Sequence, residues 1–119
     1  MKTKRQKLGA FGEELAVAYL CSSGYRIVSR NVEINDDEID IIAHDPVDDV
    51  MAFVEVKTLA DLRREFPPSI NAGPKKWSCL RRAMRRWVGA CDYRGGYRMD
   101  LISVAGGRVI EHLKEVGVR

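Results

Sequence analysis

The stretch Glu38–Lys57, EIDIIAHDPVDDVMAFVEVK, decides how the chain is read. It divides into two strands, Glu38–Ala43 and Val50–Lys57, joined by the loop His44–Asp49 with Pro46 inside it. Side chains alternate faces along a strand. Glu38, Asp40 and Ile42 are therefore expected on one face, with Ile39, Ile41 and Ala43 on the other. In the second strand Phe53, Glu55 and Lys57 share a face, with Val54 and Val56 behind. Asp40 and Glu55 are carboxylates set in mostly apolar strands. If the strands pair with these faces aligned, two carboxylates and one ammonium converge.

Working outward, Tyr25–Ile34 has strand alternation, and Asn35-Asp36-Asp37 is turn chemistry, so three consecutive strands suggest an antiparallel meander. Upstream, Leu8–Ser22 reads as a helix with Leu8, Phe11, Leu15, Ala18 and Tyr19 on its apolar stripe, ended by Gly24. The pair Gly9 and Gly12 matches no complete nucleotide-binding loop and suits close packing of the helix start. Downstream, Leu59–Pro74 is a long connection rich in proline, of the kind that serves function more often than filler. Next, Lys75–Cys91 reads as a helix with Trp77, Leu80, Met84, Trp87, Val88 and Cys91 on one face. Arg81, Arg82, Arg85 and Arg86 fall on the opposite face. Arg98–Val104 and Arg108–Leu113 form a hairpin around Gly106-Gly107. The order α-β-β-β-α-β-β implies an α/β (α+β) fold, one mixed sheet flanked by helices, in a single domain over residues 1–119.

Composition agrees with a globular chain, at 45% hydrophobic and 31% charged residues. Cys21, Cys79 and Cys91 are odd in number, far apart and without a matching histidine, which excludes a zinc site and suits reduced thiols. The basic Met1–Lys7 is interrupted by Gly9, Gly12, Glu13 and Glu14 before any apolar run, and no stretch is long enough to span a bilayer. A cytoplasmic protein without membrane contact is expected. Charge is uneven: Glu33–Glu65 holds eleven acidic residues against Lys57, Arg63 and Arg64, while Lys75–Arg98 holds eight basic residues against Asp92. An acidic centre beside a basic helix suits a metal site next to a phosphate-binding surface.

Magnesium takes hard oxygen ligands from one or two carboxylates and keeps several waters. Asp40, Glu55 and the backbone carbonyl of Val56 could supply such ligands, with Lys57 acting on water or phosphate. A Glu-x-Lys on one strand face is also what the wet side of a half-exposed sheet carries. The D-x(14)-E-x-K spacing across adjacent strands, with a basic helix after it, is what raises the chemical reading. Trp77 and Trp87 belong to the packed stripe rather than to base stacking, and His44 is read as structural.

The blocks GAFGEELAVAYLCSSGYRIVSRN, DEIDIIA, FVEVKT, the lysine-headed basic helix and RMDLISV resemble, in order and spacing, the YraN family of small bacterial proteins. That family is similar to the Holliday-junction-resolvase branch of the restriction-endonuclease-like PD-(D/E)xK superfamily. The resemblance runs from about Leu8 to Val104. It implies a restriction-endonuclease-like domain with Asp40 and Glu55 as metal carboxylates, Lys57 as the superfamily lysine and Glu13 as the helix-borne acid. Lys76 would be the basic residue opening the second helix, and Asp100 the aspartate of an R-F-D block. Two departures stand out: Asp37 replaces the family's usual glycine, adding negative charge near the metal, and Leu59 replaces its usual arginine.

The expectation is a nuclease-like protein using Mg2+ or Mn2+ to hydrolyse phosphodiester bonds in nucleic acid, DNA first and branched DNA included. Its catalytic residues would be Glu13, Asp40, Glu55 and Lys57, and its phosphate-tracking residues Lys75, Lys76, Arg81, Arg82, Arg85 and Arg86. The alternative is a non-catalytic nucleic-acid-binding module that retains the fold. A homodimer would suit a two-fold junction.

Overall fold

A computed structural model describes residues 2–59 and 74–116. The connection expected at Leu59–Pro74 lies, apart from its two end residues, outside the described residues. The elements follow the order α1 Lys4–Ser22, β1 Arg26–Ile34, β2 Asp37–Asp45, β3 Val50–Thr58, α2 Pro74–Ala90, β4 Gly96–Ala105 and β5 Arg108–Leu113.

The five strands form one sheet in the order β1-β2-β3-β4-β5. β1, β2 and β3 make the antiparallel meander, while β3 and β4 run parallel because α2 carries the chain across between them. β5 returns beside β4 through Gly106-Gly107, whose φ values of +60° and +76° supply the two positive dihedrals a tight hairpin turn needs. The helices cover opposite faces. α1 packs on Ile41, Ala43, Ala52, Val54, Ile102 and Val104; α2 packs on Ile39, Ile42, Met51, Phe53 and Met99. Among the described residues no helix is long and apolar enough to cross a membrane.

α1 begins ahead of its apolar pattern because Thr3 caps it. The Thr3 hydroxyl accepts from the Gln6 N–H at 3.1 Å, and the Gln6 side chain accepts from the Thr3 N–H at 2.9 Å. It ends where Gly24 takes φ +89° and the Tyr25 N–H bonds back to the Leu20 carbonyl at 2.9 Å.

The structure corrects the expected stripe of α1. Gly12, Ala16 and Leu20 are the buried line, whereas Leu8, Phe11 and Ala18 are exposed. The reason is close approach: a Cβ placed on Gly12 would lie 2.0 Å from the Thr58 Oγ1 of β3. Small residues let the helix axis come down on the sheet there, which turns the bulkier side chains outward. α2 keeps its expected face, with Leu80, Ala83 and Met84 buried and Trp87 edge-on to Phe53 at 5.4 Å. Cys91 is the exception, because α2 ends at Ala90 and leaves it exposed.

Tyr25, β2, β4 and β5 are pinned by a buried polar network. Arg98 Nε donates to Asp100 at 2.9 Å, and its Nη2 donates to Asp45 at 2.8 Å and to the Tyr25 hydroxyl at 3.0 Å. Asp100 pairs in turn with His112 Nε2 at 2.9 Å, and His112 Nδ1 meets the Tyr19 hydroxyl at 2.9 Å. Asp45 and Asp100 are 1% and 0% exposed, so each carboxylate has exchanged water for these partners. Asp100 is thus part of the scaffold.

Candidate functional site

The β2–β3 ladder runs from Asp45↔Val50 to Ile41↔Val54. One step further the Val56 N–H donates to the Asp40 carboxylate at 2.8 Å. The side chain of Asp40 therefore takes a backbone donor that a flat ladder would give to another backbone. The N–H and C=O of one strand residue point to the same edge, so the Val56 carbonyl faces the same side. Side-chain alternation also breaks at this point. Ile39 packs under α2 with Ile42, not with Ile41 and Ala43 as strict alternation requires. Asp40 sits in the break, half-buried between the two faces.

That position lets both helices reach it. From α1, the seat of Gly12 on Thr58 delivers the adjacent Glu13; carboxylate oxygens of Glu13, Glu38 and Asp40 lie within 4.8 Å of one another. From α2, Lys76 Nζ lies 2.8 Å from Glu55 Oε1. Asp40, Glu55, Glu38 and Lys76, with Asp37 and Leu80, line a cleft of about 280 Å³.

The electrostatics follow from this crowding. Burial, then the Glu55 charge, push the Asp40 carboxyl up to about 8, against the Val56 hydrogen bond that favours ionisation. Glu55 is raised by burial, with the hydrogen bond from Lys76 opposing. Glu13 is raised by burial and by Glu38, with Arg30 opposing. The Lys76 ammonium is held charged above its usual range by its hydrogen bond to Glu55. Four carboxylates thus crowd one ammonium. A desolvated cluster of oxygen donors must take up protons or a cation, and hard oxygens suit a divalent ion such as magnesium or manganese. Glu13, Glu38 and Asp40 are spaced to hold one, with Glu55 and the Val56 backbone flanking Asp40.

The expected cations have different surroundings. Lys57 is half-buried on β3 opposite Ser103, and the cation paired with Glu55 is Lys76. Lys76, expected on phosphate, is inside the acidic cluster. Lys75 and Arg85 are exposed. Arg82 forks onto Asp37 at 2.7 and 2.8 Å, with Arg86 3.7 Å from the same carboxylate. The charge Asp37 adds is therefore neutralised from α2, because its side chain is only 5% exposed and faces those guanidinia. Arg81 lines a second cavity with Met84, Arg85 and Tyr97. His44 pairs with Asp49 at 2.8 Å in the β2–β3 turn. Glu38 was not among the expected site residues, although it shares the strand face assigned to Asp40.

Residues 12–104 match the model of a family described as "Uncharacterised protein family UPF0102". A UPF0102 protein of Corynebacterium efficiens is 37% identical over 121 residues, covering 98% of this chain and 96% of its own length. One from Mycobacterium avium is 39% identical over 119 residues, covering 95% and 91%. One from Chlorobaculum parvum is 37% identical over 118 residues, covering 92% and 90%. These names state a family and no activity.

Proposed function

The chain belongs to the UPF0102 family, and we propose that it is a nuclease-like protein of the PD-(D/E)xK type, dependent on a divalent metal and acting on nucleic acid, DNA first and branched forms included. One observation carries the reading: the desolvated carboxylates of Asp40 and Glu55 share a single cleft where two strands part, with exposed Glu38 on its lining and Glu13 brought within 4.8 Å of Asp40 and Glu38 from α1. A bound magnesium or manganese ion would polarise a phosphoryl oxygen and acidify a water. Asp40 and Glu55 are the residues proposed to hold it, with the Val56 carbonyl and, on the geometry, Glu13 and Glu38 beside them. Glu13 is half-buried with a raised pKa, which lets it hold or release a proton near the reacting atoms. Lys57, one strand step past Val56, is assigned to the phosphate or the attacking water. Lys75 and Arg85 lie along α2, from its first turn onward, and are assigned to backbone phosphates.

A second reading has its own observation. Lys76 already neutralises Glu55 at 2.8 Å, as it would in a module that binds nucleic acid without cleaving it. Incubation of labelled blunt, nicked and four-way-branched DNA with magnesium or manganese separates the two. Cleavage lost in Asp40→Asn and Lys57→Ala, with metal affinity lost only in the former, supports the nuclease. Tight binding without any cleavage supports the module.

A further inference from the structure

Lys76 is a cation in a place that its own helix disfavours. It lies in the first turn of α2, where the helix dipole repels positive charge, yet its ammonium is drawn in to Glu55 Oε1 at 2.8 Å. Asp40 and Glu38 line the same cleft, and among the described residues Lys76 is the one cationic side chain on that lining. The ammonium thus stands where the carboxylates demand a cation. Two features make the pairing exchangeable. The Lys76 side chain is 58% exposed and that of Glu55 only 11%, so the lysine reaches a buried carboxylate from the solvent side and can leave without opening the core. The seat of α2 does not depend on it either: Leu80, Ala83 and Met84 are packed on the sheet, and Arg82 forks onto Asp37.

Lys76 and a divalent ion would compete for the same oxygens. Both seek the Glu55 carboxylate, and their positive charges repel each other across a site partly withdrawn from water. We propose that Lys76 is an exchangeable counter-ion: it holds Glu55 in the metal-free protein, gives the carboxylate up when magnesium or manganese binds, and then pairs with a phosphate of the bound nucleic acid. The inference rests on the nuclease-like reading and adds the regulation of its site. Lys76 lowers metal affinity in the free protein, and metal and nucleic acid each strengthen the other's binding by the same factor.

Calorimetry with manganese at fixed pH tests the exchange. Lys76→Gln should bind the ion on the order of tenfold tighter than wild type, because a competing unit charge has left a desolvated site. Lys76→Arg keeps the charge and should bind as weakly as wild type. Lys4→Gln removes an exposed charge on α1 and should not tighten binding. A lysine that served only to dock α2 would give the opposite sign, since its loss would loosen the cleft. A second measurement uses the unmutated chain: acetic anhydride should modify Lys76, read by mass spectrometry of the α2 peptide, several-fold faster in saturating magnesium than in EDTA. In a third, labelled duplex DNA at constant ionic strength should bind more tightly with calcium, another ion that seeks oxygen ligands, than with EDTA, and Lys76→Gln should lose most of that gain. Manganese bound equally or more weakly by Lys76→Gln, or Lys76 acetylated at one rate with and without magnesium, overturns the exchange while leaving the metal site in place. A calcium gain that Lys76→Gln keeps in full overturns the transfer to phosphate. Absence of manganese binding in both proteins overturns the metal-dependent reading itself.

Discussion

The Val56 backbone N–H donates to the Asp40 carboxylate at 2.8 Å, so the strand carrying Glu55 is tied to its neighbour by a side chain instead of a ladder bond. Holding a carboxyl in place of a backbone carbonyl opens the cleft and buries the acid in one step.

The first prediction concerns pH in the metal-free protein. Asp40 is raised to about 8 from 3.8, by burial first and Glu55 second. Between these values the folded state holds a proton that the unfolded chain has released. Stability should therefore fall as pH rises from about 4 to about 8, and level beyond. Asp40→Asn should flatten the slope, read as urea midpoints across that range. Metal affinity should run the other way, since the ligand must lose its proton: calorimetry with manganese should strengthen toward pH 8, by up to about tenfold per unit.

Gly12 is predicted to be the most sensitive position on α1. Its Cβ would collide with Thr58, so Gly12→Ala should destabilise by roughly 1–3 kcal/mol, the scale of overpacking. Gly9→Ala meets open space and should be neutral or stabilise by up to about 1 kcal/mol through helix propensity. Thermal melts of the pair check this. A Gly12→Ala protein melting at or above wild type would contradict the close seat.

The arginines of α2 should split into two kinds. Arg82 is engaged with Asp37, so Arg82→Gln should lower stability, and its effect on DNA binding should be small. Among the described residues no ion pair engages Arg85. Arg85→Gln should flatten the dependence of log K on log salt by about 0.9 if it contacts one phosphate, with stability unchanged. Identical slopes for wild type and Arg85→Gln would move the phosphate surface off this helix.

Arg98→Met should be severe, on the order of 3–5 kcal/mol, because it strands Asp45 and Asp100 in the interior. Burial pushes the Asp45 carboxyl up, yet Arg98 and the Val47 and Asp48 N–H groups reverse this and hold it below its usual 3.8. That contribution is present above pH 3.8 and lost as pH falls below it. Acid unfolding followed by circular dichroism should shift to higher pH in the variant.

The element order was legible because strand alternation, turn residues and the arginine-opposed stripe of α2 are local signals. The pairing of Asp40 with Glu55 followed from alternation and short connections. The stripe of α1 misled because apolar spacing does not encode how closely a helix can sit, which Gly12 and Ala16 decide against Thr58. Ile39 misled because alternation presumes a continuous ladder. Lys76 at Glu55 was out of reach, since it depends on how α2 docks. Glu38 could have been included: it was already on the face of Asp40.

The parallel pair of β3 and β4 also sets a timetable. β1 to β3 can zip from neighbours in sequence, whereas Val50 meets Gly96 only after the whole of α2 has been looped across. Asp40 and Glu55 are then brought together by the early hairpin, before Lys76 can arrive with its charge. The nascent sheet is expected to carry bare, mutually repelling acids through its slowest step. A divalent ion present during refolding should shorten that step in stopped-flow traces, and Asp40→Asn should shorten it without any ion.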